Sequence, residues 1–180
     1  MSDRISAWLL DKNVLRVALI GLAKLDLGQE LAAGDLVCLE LLRAAREGQI
    51  LGCVSSELVN ILNGFMHLPN VRVVLSTLVV FRGTRYFRRW ARRLRAEGFS
   101  REDAKVIALA TFGVNEGRTR FGIDAIVTGD LRLIHNFEQH LPRLERRLRA
   151  MTAQLQPPYR FATLPKIMTP EEAAESETRP

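Results

Sequence analysis

Four acidic residues stand where a chain can bring them together. Asp11 closes an apolar run in Leu9-Leu10-Asp11-Lys12-Asn13-Val14. Glu57 follows a second in Val54-Ser55-Ser56-Glu57-Leu58, and Asp130 closes a later one in Ile126-Val127-Thr128-Gly129-Asp130. Asp103 opens an apolar helical stretch in Ser100-Arg101-Glu102-Asp103-Ala104. Carboxylates that converge without partners repel and raise one another's pKa values. A hard divalent cation relieves that repulsion, because Mg2+ and Mn2+ take oxygen ligands and keep waters and substrate phosphates. Such a site polarises a phosphodiester and activates water for in-line attack. Each acid also has a plainer role. Asp103, three residues after Ser100, completes a capping box. Glu57 in a first helical turn suits the helix dipole. Asp11 and Asp130 can each pair with an arginine at a loop.

The elements that must position these acids alternate. Ser6–Leu10 and Ile50–Val54 read as short buried strands, apolar on both faces. Val71–Leu75 reads as a third strand after the break at Pro69-Asn70, and Ile123–Val127 as a fourth. Phe161–Met168 is a last strand weakened by Pro165. Between them lie helical patterns over Val14–Leu27, Asp35–Arg46, Arg85–Ala96, Ser100–Glu116 and Phe137–Met151, with a shorter one after Ser55-Ser56. Strands alternating with helices predict an α/β fold: three layers, α/β/α, around a central parallel sheet of four to five strands. In a parallel sheet the carboxyl ends of all strands share one edge, and ligands bind there. Asp11, Glu57, Asp103 and Asp130 are thus expected to converge on that edge.

This order of motifs resembles the PIN-domain family of metal-dependent ribonucleases, which includes VapC-type toxins. The carrying stretches are Leu10-Asp11-Lys12-Asn13-Val14-Leu15, Val54-Ser55-Ser56-Glu57-Leu58, Asp103-Ala104-Lys105-Val106-Ile107-Ala108-Leu109-Ala110 and Asp124-Ala125-Ile126-Val127-Thr128-Gly129-Asp130. Leu164-Pro165-Lys166-Ile167-Met168-Thr169-Pro170-Glu171-Glu172 is similar to the family's last strand and ending. The resemblance spans roughly residues 6 to 173. It implies Asp11, Glu57, Asp103 and Asp130 as catalytic ligands of Mg2+ or Mn2+, with Asn13 and Thr128 as polar supports that orient them. It also implies RNA as substrate, an antitoxin protein as partner and a homodimer. Two positions depart from the family. Lys12 stands where a small polar residue is usual, and Arg132 replaces a further acid two residues after Asp130.

The chain has 180 residues, 26 Lys plus Arg against 20 Asp plus Glu, and a pI near 10.0. Such a balance suits a polyanion partner, nucleic acid first. Eight arginines and a single acid, Glu97, lie between Arg82 and Arg101. On a helical wheel Arg85, Arg88, Arg89, Arg92 and Arg95 share one face; Phe87, Trp90, Ala91 and Leu94 share the other. With Lys12, those five arginines are the candidate phosphate contacts, against the plainer reading of a solvated face. Arg143, Arg146, Arg147 and Arg149 form a second basic face. The expected organisation is one domain over residues 1–173, with a basic helical arm at about 82–97 and a flexible acidic tail over 174–180. No apolar run reaches the length of a membrane span, and the two cysteines, Cys38 and Cys53, read as buried reduced thiols of a cytosolic protein. Two other readings stand beside the nuclease. One is a PIN-like RNA- or partner-binding module without turnover. The other is a haloacid-dehalogenase-like phosphatase with Asp11 as nucleophile, although that family needs an acid where Asn13 stands.

Overall fold

The computed structural model describes residues 5–177. Six strands form one sheet: β1 (Ala7–Leu10), β2 (Leu51–Ser55), β3 (Val79–Gly83), β4 (Gly113–Asn115), β5 (Ala125–Val127) and β6 (Lys166–Met168). Their order is β4-β3-β2-β1-β5-β6. Every neighbouring pair is parallel except β3–β4, which is antiparallel. The helices are α1 (Lys12–Asp26), α2 (Ala33–Glu47), α3 (Ser56–Asn63), α4 (Pro69–Thr77), α5 (Phe87–Ala96), α6 (Arg101–Phe112), α7 (Leu131–Thr152) and α8 (Pro170–Glu177).

All of β1 is buried, as an apolar strand covered on both faces must be. Its side chains alternate between two cores. Ala7 and Leu9 join Trp90 and Leu94 of α5, Ile107 and Phe112 of α6, and Leu144 and Leu148 of α7. Trp8 and Leu10 join Val14 of α1, Leu41 of α2, Val74 of α4 and Ala173 of α8. The result is the expected three-layer α/β/α arrangement. Phe87 packs so closely on Gly83 that a Cβ there would lie 2.5 Å from its Cγ, so the end of β3 requires glycine.

Several elements differ from their sequence patterns. Val71–Leu75 lies inside helix α4 and the third strand is Val79–Gly83. Pro69 starts that helix, and Val71 and Val74 are buried while Val73 is exposed, which is a helical period. The helix from Ser100 stops at Phe112 instead of Glu116, and the residues after it form the antiparallel strand β4; the sheet therefore has six strands rather than four to five. α7 starts at Leu131, ahead of Phe137, because Asp130 Oδ1 accepts from the amides of Arg132 (3.0 Å) and Leu133 (3.2 Å). The last strand shrinks to Lys166–Met168. In the basic helical segment the fully buried Trp90 and Leu94 anchor α5 in the core. At the acidic end α8 runs to Glu177, so residues 174–177 of the expected tail are helical; residues 178–180 lie outside the described residues.

Candidate functional site

From β1 the chain moves through β2 to β3 on one side, then crosses to β5 on the other side of β1. The strand order reverses between β1 and β5, and the crevice beyond their carboxyl ends is the natural ligand position in such a sheet. Asp11 leaves β1 and Thr128 leaves β5 at that point. The Asp11 amide still donates to the Val127 carbonyl at 3.0 Å, extending the ladder by one bond.

Thr128 is fully buried. Its hydroxyl donates to Asp11 Oδ2 at 2.9 Å and accepts from the Asp130 amide at 3.1 Å. Asp11 Oδ1 accepts from the Lys12 amide at 2.7 Å. Asp11 caps α1 and Asp130 caps α7, so each carboxylate meets the positive end of a helix dipole. One buried hydroxyl thus ties together two acids separated by most of the chain.

Glu57 stands apart from this pair. It sits in the first turn of α3, whose cap is Ser55, with Oγ accepting from the Leu58 amide at 3.1 Å. Its exposed carboxylate receives the Lys105 ammonium at 2.9 Å on Oε1 and 3.1 Å on Oε2. Lys105 reaches over from α6 and also approaches Glu102 at 3.8 Å. Asp11, Lys12, Ser55, Ser56, Glu57, Glu102 and Lys105 line one cavity of about 290 Å³, whose apolar lining includes Leu9, Ile61, Phe87, Val106 and Leu109.

Asp103 does not line that cavity. Its amide donates to Ser100 Oγ at 3.1 Å, which is one half of the capping box, and its carboxylate makes no hydrogen bond or ion pair among the described residues. Asn13 lies in the first turn of α1 and gives no side-chain hydrogen bond to the acids, so of the two only Thr128 bonds to one of them. Among the described residues, no group of three or more His, Cys, Asp or Glu is arranged to hold a metal ion. The structure therefore joins Asp11 to Asp130 and sets Asp11 and Glu57 on one cavity, without gathering all four acids. The hard oxygen donors of Asp11 and Asp130 fit Mg2+ or Mn2+ in kind, since Mg2+ is commonly held by one or two carboxylates plus water and phosphate. Glu57 does not fit while Lys105 holds both its oxygens.

Sequence reasoning missed Glu102 and Lys105. Their signal is helical spacing: 102, 105, 106 and 109 mark one face of α6, and that face lines the cavity. Asp103 lies about 100° away from Glu102 on the same helix.

The arginines divide. Arg88, Arg89, Arg92 and Arg95 are exposed on α5, and none pairs with a carboxylate among the described residues. Arg85 precedes the helix and lies over two tyrosine rings, 4.8 Å from the centroid of Tyr86 and 5.2 Å from that of Tyr159. In the second basic group, Arg143 and Arg147 place Nε 2.7 and 2.6 Å from the carboxylate of Glu97, whose side chain is only 1% exposed. These are charge contacts whose angles do not make hydrogen bonds. That pair is therefore committed to the fold. Among the described residues no helix is long and apolar enough to cross a membrane. Comparison with family models, curated proteins and solved structures gives no match to this chain.

Proposed function

We propose that the chain hydrolyses RNA phosphodiester bonds with Mg2+ or Mn2+ held by Asp11 and Asp130. The observation that carries this reading is the Asp11–Thr128–Asp130 linkage at the point where strand order reverses. The cation, when bound, would polarise the scissile phosphate and lower the pKa of an attacking water. The chain's own residues do the positioning. Thr128 fixes the direction of the Asp11 carboxylate, and two backbone amides fix that of Asp130. Lys12, beside Asp11 on the cavity wall, meets the negative charge of the RNA backbone. With this activity go the partners of the toxin reading: an antitoxin protein and a second copy of the chain.

The test is cleavage of a mixed structured and single-stranded RNA pool in Mg2+, Mn2+ or chelator, with Asp11→Asn and Asp130→Asn beside wild type. Loss of cleavage in chelator and in both variants is expected. Cleavage that survives both substitutions refutes the assignment of the site.

One observation favours a second reading, an RNA-binding module without turnover. Lys105 supplies Glu57 with a cation of its own. RNA that is bound but left intact under every metal condition would select this reading.

A further inference from the structure

A second cleft adjoins the carboxylate cavity, and Gly83 lines both. It measures about 580 Å³ and is walled by Arg82, Arg85, Arg118, Phe121 and Tyr159, with β3 and β4 behind it. Its chemistry differs from that of the first cavity. Arg82 is paired with Glu116 at 2.6 Å, but both partners are well exposed, which makes the pair weak. Arg85 and Arg118 have no carboxylate partner among the described residues. Arg85 is held on the rings of Tyr86 and Tyr159 instead, and those rings meet edge to face at 4.8 Å. Tyr159 is braced from another side by Phe121 at 5.4 Å. A guanidinium fixed on aromatic rings keeps its donors available for phosphate and presents a flat surface to a base. The exposed arginines of α5 have no such support.

We propose that this cleft is a nucleotide subsite: Arg85 and Arg118 hold the phosphate of an RNA strand, and one base stacks on the Arg85–Tyr159 platform. The strand then passes Gly83 toward the cavity that contains Asp11. This deepens the RNA-cleaving reading and rests on it for the identity of the polymer, but binding at the cleft needs neither metal nor turnover.

The experiment is fluorescence anisotropy with a labelled eight-nucleotide single-stranded RNA in EDTA, at low and physiological salt. Arg85→Ala and Arg118→Ala are each expected to weaken binding about tenfold. Arg85→Lys is expected to recover only part of the loss, because it restores the charge but not the plane. Arg46→Ala, on the exposed face of α2, is expected to stay within about twofold of wild type. Circular dichroism melts check that each variant is folded; should Arg85→Ala fail to fold, Arg118→Ala and Arg85→Lys decide. Wild-type affinity in both Arg85 and Arg118 variants overturns the proposal, as does an equal loss in Arg46→Ala. Poly-glutamate that competes as well as RNA of equal charge overturns it too, and points to an acidic peptide. A protein that binds through the cleft yet never cleaves sustains the subsite while the nuclease reading falls. Cleavage and binding both untouched by the cleft variants leave the nuclease and remove the subsite.

Discussion

Replacing Thr128 by valine tests the one polar link that joins the ends of β1 and β5. Valine matches threonine in shape, so the fully buried site keeps its packing and loses a hydroxyl. Two bonds go with it. The first is donated to the Asp11 carboxylate at 2.9 Å, and a hydrogen bond to a charged group contributes about 1.5–3 kcal/mol. The second is accepted from the Asp130 amide at 3.1 Å; leaving a donor unsatisfied costs about 1–3 kcal/mol, and the lower end applies at this half-buried amide. Together the loss is about 3 kcal/mol. For a chain of this length that corresponds to a fall in Tm of roughly 6–12 °C.

The assay is calorimetric melting of wild type, Thr128→Val and Thr128→Ser. Serine keeps the hydroxyl and is expected to recover most of the loss. A double-mutant cycle with Asp11→Ala isolates the bond itself, because each single change removes it and what remains is the coupling between the two side chains. The expected coupling is about 1.5–3 kcal/mol. A valine variant that melts within about 2 °C of wild type would refute the reasoning, since on this account a change under 1 kcal/mol cannot follow from losing both bonds.

Three further outcomes follow from other parts of the molecule. Burial pushes the Cys53 thiol up to about 12 and the Cys38 thiol up to about 11, so a thiol reagent at pH 8 should label neither in the folded protein and both after unfolding. Removing Arg143 and Arg147 together should destabilise by about 3–5 kcal/mol by stranding the buried Glu97 carboxylate, whereas Glu97→Gln should cost clearly less because the half-exposed arginines rehydrate; urea unfolding compares them. The Lys24 ammonium, and then the Ala32 amide, hold the Asp35 carboxyl below its ordinary value. A lowered folded-state pKa gives stability that is present above the unfolded value of 3.8 and lost as pH falls through the folded one, so Asp35→Asn should flatten the acid limb of stability below about pH 4.

The layers and the carboxyl edge were legible because short buried strands separated by helical patterns leave few ways to fold. The third strand was not. Val71, Val73 and Val74 are β-branched and, with Leu75, apolar enough for a strand, and only Pro69 at the first helical position marks the helix. β4 was hidden because it is only three residues long and follows α6 with no intervening loop, and its pairing with β3 is non-local. At the site, Asp11, Thr128 and Asp130 were visible as strand ends. The partner of Glu57 was not, since Lys105 lies 48 residues away and no local spacing connects them. The arginine helix shows the same limit. Its amphipathic wheel correctly marked Trp90 and Leu94 as inward-facing, but placed Arg85 on the helix when it precedes it and stacks on two rings instead.

Where each acid finds its compensation decides what it is free to do. Asp11 and Asp130 are stabilised by helix amino termini and by backbone and hydroxyl donors, all neutral groups that leave their net charge in place. Each dipole contributes about 0.3–1 kcal/mol, well short of cancelling a full charge. Glu57 is compensated by a full cation, which offsets its charge at the edge in a pair whose carboxylate is well exposed. A divalent ion arriving at this edge therefore meets two uncancelled carboxylates held in fixed directions and a third that must first give up its lysine. Substituting Lys105 by methionine restores the charge of Glu57 without touching the Thr128 linkage. On the nuclease reading that raises affinity for Mn2+ in a direct binding measurement. On the binding-module reading the variant takes up no more Mn2+ than wild type, because Lys105 is then a fixed part of the RNA-contacting surface rather than a competitor for a metal ligand.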